Sequence, residues 1–339
     1  MKWGAWICLL AACTSGIGKA TCDGAANTCG SFTLQAENDA FALSDTSDRG
    51  YTNGTRLSWS WEPSVDSRLD RLAAKLCFGE DRTTCGRYAA AGLGQSMYTP
   101  EYLESPRRII GDRPYGGWLY GMLMVDAVRE TQAEHVEIYA GVVGPAAHAE
   151  EAQTFVHVHI TPASPEPLGW DTQISNRAGV LVVYEHRWKL LELSCNDRPY
   201  FDLTPALGGA VGNVFDYAAA GVTFRAGYNL PPKFFRPIPS LASAMLVGAG
   251  RTPPPRSWDA YLFASADQRY VAHNVFLDTD DELYRIERRP WVRDYRAGAT
   301  LRIRWLRLQF VQTFRSPEFR PESRRQSFGT WLITVGASP

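Results

Sequence analysis

After residue 20 the sequence has no apolar run approaching the roughly eighteen residues that a membrane-spanning helix needs, so a membrane protein built from it crosses with strands. It also lacks a charge surplus of either sign: the net charge of -1 excludes general nucleic-acid binding through bulk electrostatics. No Gly-x-Ser-x-Gly elbow is present, which leaves a serine hydrolase of the α/β type without support. Neither a Gly-x-x-x-x-Gly-Lys phosphate loop nor a dinucleotide-binding Gly-x-Gly-x-x-Gly opens a helix. The seven cysteines are not spaced as a zinc site, because no histidine lies near the close pairs Cys22 with Cys29 and Cys77 with Cys85. These pairs read as small disulfide loops of an exported protein, with Cys195 left over.

At the start, Lys2 precedes an apolar stretch from Trp3 to Ala12, followed by small residues through Ala20. The pattern is that of a signal peptide over residues 1–20, cleaved near Ala20 or Ala26. Leu10-Ala11-Ala12-Cys13 offers a lipoprotein-type alternative. Residues 31–339 then form one domain.

Along that domain, apolar or aromatic residues recur at every second position. Arg56-Leu57-Ser58-Trp59-Ser60-Trp61, His135-Val136-Glu137-Ile138-Tyr139 and Thr300-Leu301-Arg302-Ile303-Arg304-Trp305 are examples. This is strand periodicity, and it suits either a soluble sandwich or an inverted barrel whose apolar face meets lipid. An export signal, eleven tryptophans with fifteen tyrosines, and arginines inside strands (Arg302, Arg304) favour the barrel. The phase slip at Trp305-Leu306 marks a tight turn between two strands. The expectation is an all-β, closed antiparallel transmembrane barrel of about twelve strands. Long loops gather on its extracellular side and carry short helices, with short turns on the other side. Ser67 to Leu76 has helical spacing, and the proline-rich 230–257 stretch reads as an irregular loop.

Six histidines are available for chemistry. His135, His186 and His273 sit in strand-like contexts and read as lumen-lining or interface residues. His157 and His159 form a His-x-His pair, which in a strand points both rings to one face, although a metal site would need further ligands. Asn38 and Asp39 are adjacent, so in a strand they point apart unless the strand ends or bulges there. Taken on their own they are as easily turn residues as site residues. Tyr51-Thr52-Asn53-Gly54 is equally open, since Asn-Gly is a common turn dipeptide.

Several motifs occur in order over nearly the whole mature chain. They are Glu37-Asn38-Asp39, Asp48-Arg49 with Tyr51-Thr52-Asn53-Gly54, Gln95-Ser96-Met97-Tyr98-Thr99-Pro100, and Asp112-Arg113-Pro114-Tyr115-Gly116-Gly117-Trp118. Gly144-Pro145, Gln153-Thr154-Phe155-Val156-His157, Gly169-Trp170-Asp171, Gly212-Asn213 and Arg315-Ser316-Pro317-Glu318-Phe319 follow. The set resembles the outer-membrane lipid A 3-O-deacylases, which trim acyl chains from lipopolysaccharide.

The resemblance implies a twelve-stranded monomeric barrel in the bacterial outer membrane, with lipid A as substrate, calcium (Ca2+) as cofactor and no nucleic-acid partner. It implies hydrolysis of the ester-linked acyloxyacyl group at the 3'-position. Asn38, Asp39, Thr52 and His157 match the family's site positions, with His157 as general base. Asp39 and Glu166 are the candidate calcium ligands, and two extra residues before Trp170 displace Glu166 from its expected place. Arg107 and Arg108 are candidate contacts for lipid phosphate. Alternatives from other classes are a channel or adhesin barrel without activity, and an outer-membrane phospholipase.

Overall fold

The structure is a computed structural model that describes residues 30–43, 50–159, 165–196, 198–230, 258–278, 282–320, 322 and 325–336. The signal peptide, Cys13, Cys22, Cys29, Asp48, Arg49 and the proline-rich 231–257 stretch lie outside them. One antiparallel sheet runs β6-β5-β4-β3-β2-β1-β13-β12-β11-β10-β9-β8-β7, and a β6–β8 pairing closes it.

The strands are β1 Ser31–Asn38, β2 Gly50–Trp61, β3 Gly86–Thr99, β4 Gly116–Val128, β5 Gln132–Val143, β6 Arg177–Trp188 and β7 Leu191–Cys195. Then come β8 Arg198–Gly212, β9 Phe215–Tyr228, β10 Trp258–Asn274, β11 Trp291–Ile303, β12 Leu306–Arg315 and β13 Gln326–Gly336. Because β6 and β7 lie end to end along β8, with Arg187 opposite Ala206 and Leu191 opposite Leu203, the barrel has twelve staves. The expected turn is present: Ile303 faces Leu306 across Arg304 and Trp305.

The alternation is inverted relative to a soluble protein. Leu57, Leu93, Leu119, Ile138, Val182, Val211, Leu262 and Leu301 are exposed on the outer face, while their neighbours point inward. Lipid is the medium that such a face requires. Aromatic pairs mark strand ends, as at membrane interfaces: Tyr228 stacks on Trp258 at 4.7 Å, and Tyr270 meets Trp291 edge-on at 5.2 Å.

The inside is polar and charged. Asp294 accepts from Arg315 at 2.9 Å and from Arg296 at 2.8 Å, and also pairs with Arg269. Arg296 reaches Asp267, Arg225 grips Asp202, and Arg302 holds Asp259 at 2.5 Å. Buried charges persist only when so paired. Arg302 is therefore the lumen residue its strand position suggested, whereas Arg304 sits in the turn with φ 51. His135 also faces the lumen, between Asp126 and Glu137.

Counting strands up and down from β1 corrects one expectation. Long connections are not confined to one end. The β2–β3 and β9–β10 connections join strands at the end where β1 starts and β13 finishes. The first of these carries helix α1, Arg68–Leu76, capped by the Ser67 hydroxyl on the Asp70 amide, and the Cys77–Cys85 disulfide. Cys195 is free and exposed near the same end. The connections β1–β2, β3–β4, β5–β6, β10–β11 and β12–β13 emerge at the opposite, upper rim together with the short β8–β9 turn.

Candidate active site

Asn38 is the last residue of β1 and Asp39 the first of a one-turn 3-10 helix, Asp39–Phe41. The Asn38 Oδ1 accepts from the Ala40 amide at 2.7 Å and so caps that turn. The strand ends there, and both adjacent residues are buried: Asn38 is 8% exposed and Asp39 3%. The turn rests on the last strand, because Asn38 faces Gly329 and a Cβ at Gly329 would lie 2.5 Å from the Phe41 carbonyl oxygen. Only glycine permits this contact.

Thr52 reaches the same rim through a β-bulge. Tyr51 faces Tyr98 and Asn53 faces Met97, which leaves Thr52 as the extra residue. Consecutive residues Tyr51 and Thr52 are therefore both buried. The hydroxyls of Thr52 and Thr99 are 2.5 Å apart. Since Asn38 pairs with Asn53, the β1 and β2 motifs lie side by side. Tyr51 donates to Glu37 at 2.5 Å, and Glu37 also accepts from Thr330 at 3.0 Å.

His157 is not on a strand. It belongs to helix α2, Ala149–His159, in the β5–β6 connection. Two residues along a helix turn the side chain by about 200°, so the two rings do not share a face: His157 is buried and His159 exposed. The His157 Nδ1 lies 2.8 Å from the Pro165 carbonyl oxygen, and His159 Nδ1 lies 3.1 Å from that of Phe155. The His-x-His chelate is thus excluded. A carbonyl only accepts, so Nδ1 of His157 carries a proton, and Nε2 is the nitrogen left to act as a base.

Helix α2 docks on the outer wall of the barrel. Leu93 of β3 and Leu119 of β4 face lipid, and the two-residue strand period puts Met97 and Gly117, which oppose each other, on that same face. A Cβ at Gly117 would lie 2.5 Å from the Ala149 Cβ, so glycine lets the helix touch the strand. Met97, Leu103, Tyr115, Ala149 and Trp170 form one buried cluster around the contact. Gln95 Nε2 donates to the Ala147 carbonyl at 2.7 Å, and the Trp170 indole donates to Gln153 at 2.9 Å.

The remaining candidates divide. Glu166 follows the proline whose carbonyl holds His157, and it is exposed. Arg107 and Arg108 sit in the β3–β4 connection, which is tied to the Glu166 segment by the Leu168 amide on the Leu103 carbonyl at 2.9 Å. Arg107 is exposed, whereas the Arg108 guanidinium lies 4.7 Å from the Tyr284 ring centroid, toward the β10–β11 connection. Across the mouth, Arg113 donates to Glu318 at 2.7 Å. Burial opposes ionisation of Glu318, but Arg113 and Arg315 prevail and hold its carboxyl below the usual range. Burial pushes Glu322 and Asp112 upward.

Asp39, Asn38 and Thr52 offer only oxygen donors, a set that suits a hard cation such as calcium and not zinc. Among the described residues no three His, Cys, Asp or Glu side chains converge, so an ion here would draw on neutral oxygens as well.

Thr99, Gln153 and Trp170 are neighbours of candidate residues that the sequence motifs contain but to which the sequence assigned no role. Gln153 precedes His157 by one helical turn, a relation that becomes visible only once the segment is a helix.

An inverted, lipid-facing strand barrel with a histidine-bearing helix on its outer wall defines an outer-membrane β-barrel protein. The chain belongs to the family described as outer membrane protein LpxR, which matches residues 5–336. Its fold is similar to that of LpxR from Salmonella typhimurium, with a TM-score of 0.72 and 19% identity over 90% of this chain and 99% of that one. The β domain of the Bordetella autotransporter BrkA covers 91% of this chain and 98% of its own at TM-score 0.40 and 7% identity. Among curated protein sequences there is no match.

Proposed function

We propose that this protein hydrolyses an acyl ester of lipid A in the outer leaflet, releasing the acyloxyacyl group at the 3'-position. The observation that carries this reading is the placement of His157. It is buried on the barrel side of a helix packed against the lipid-facing wall, with Nδ1 held by a carbonyl. A base in that position works on a molecule that resides in the membrane and need not enter the lumen.

His157 Nε2 would take a proton from the attacking water, a general-base step that typically contributes about 10²–10⁴-fold. Asn38 and Thr52 would orient water or ester by hydrogen bonding, with Thr99 fixing the Thr52 hydroxyl. Asp39 and Glu166 would hold calcium. Bound calcium supplies polarisation of the ester carbonyl. Arg107 and Arg108 would meet lipid A phosphates, for which guanidinium forks are well shaped.

The test is mass spectrometry of lipid A before and after exposure to the purified protein with calcium. Loss of the acyloxyacyl mass supports the reading. An unchanged spectrum, or full activity of His157→Ala, overturns it. Fatty acid released from phospholipid and not from lipid A would assign the phospholipase alternative. A channel is disfavoured by the ion pairs that fill the lumen, such as Asp294 with Arg269, Arg296 and Arg315.

A further inference from the structure

Helix α2 has two unlike sides. Ala149, Gln153 and His157, spaced four apart, are its buried residues and face the barrel. On the remaining surface Phe155 and Val158, three apart, are 54% and 59% exposed, and Leu168, later in the same connection, is 45% exposed. Exposed apolar side chains at helical spacing need an apolar medium to cover them.

The wall identifies that medium. Leu119 stands one outward position below Gly117, where α2 touches β4, and is itself lipid-facing. The lipid-facing Leu93 and Leu119 thus lie on the same face of their strands as the contact between α2 and the wall. The helix also has polarity along its length, with exposed Glu150 and Glu151 in the first turn and Phe155 and Val158 toward its end. Acids near one end and exposed apolar side chains near the other suit an element at a membrane interface, where media of different polarity meet.

We propose that Phe155 and Val158 insert into the acyl layer of the outer leaflet, so that helix α2 is clamped between the barrel wall and lipid chains. The catalytic consequence, that leaflet contact positions His157, rests on the reading of His157 as the base; the placement of the helix does not. Phe155 and Val158 are positioning residues in this scheme.

The experiment uses the full-length Cys195→Ser protein in phosphatidylcholine vesicles with brominated acyl chains. A bimane label is placed in turn at Val158→Cys, Phe155→Cys, Leu119→Cys and Glu151→Cys, and signals are taken relative to the labelled parent. Quenching at 155 and 158 is expected within about twofold of that at the lipid-facing 119, and several-fold above that at 151. Quenching at 155 and 158 no greater than at 151 overturns the proposal. A second arm compares the Phe155→Asp, Val158→Asp double variant on substrate in vesicles and in detergent. Selective loss in vesicles supports positioning by the leaflet, and equal activity in both overturns it. If the protein proves inactive on lipid A, the proposed function fails while the quenching result still decides where the helix lies.

Discussion

The lumen and the candidate site are both rich in polar side chains, yet those side chains are partnered in different ways. In the lumen charge meets charge: Asp294 with Arg269, Arg296 and Arg315, Asp202 with Arg225, Asp259 with Arg302. Such groups satisfy one another and stiffen the barrel. The candidate residues are instead of mixed type: an amide that caps its own turn, a carboxylate and a pair of hydroxyls at the ends of β1, β2 and β3, and, on helix α2, an imidazole whose Nδ1 is tied to a carbonyl. Among the described residues the lumen ion pairs thus read as structural, and the candidate chemistry lies where the side chains are of mixed type.

The sharpest way to break that contrast is substitution on each side. His157→Ala should lower deacylation by about 10²–10⁴-fold while the folded, heat-modifiable band on a gel is unchanged. Loss of the folded band would return His157 to a structural role. Asp294→Ala leaves arginines buried without their counter-charge and should remove about 3–5 kcal/mol of stability. Thermal unfolding reads that loss, and the activity of each folded molecule should stay at the parent level.

Smaller effects sharpen the comparison at the rim. Folding depresses the Glu318 carboxyl, so its contribution is present above the unfolded value and disappears as pH falls through the folded one. Asp112 and Glu322 are raised by burial, so each costs stability while ionised, a cost that acidification removes. Protease resistance of the upper connections should therefore hold or improve on mild acidification from neutrality, and fall only once Glu318 protonates. A monotonic loss starting at neutral pH would contradict this order. The smallest effect expected is that of Thr99→Val, which deletes a hydrogen bond worth about 1 kcal/mol. It should reduce kcat by roughly fivefold with the barrel intact, and an unchanged kcat would remove Thr99 from the site.

Much of the fold is legible in the alternation of residues. Leu301, Arg302 and Ile303 reveal a wall with lipid outside and charge within, and the phase slip at Trp305 locates a hairpin. Which end a connection occupies was not legible, because it depends on strand parity, and a short continuation such as β7 upsets the count. In the site, Asn38-Asp39 could be a turn or a pair of functional residues, and it is a strand end that buries both. His157 was misplaced on a strand for a physical reason. Thr154-Phe155-Val156-His157-Val158-His159 is rich in residues that favour strands, and tertiary packing of Ala149 on Gly117 overrides that preference.

The 3-10 turn that carries Asp39 rests on Gly329, so one part of the candidate site depends on contact between the first strand and the last. That turn is not positioned until the final strand arrives and zips against β1. During assembly, then, hydrolytic competence would be acquired last, after closure has committed the chain to its membrane. A precursor still in transit would be harmless to the lipids it passes.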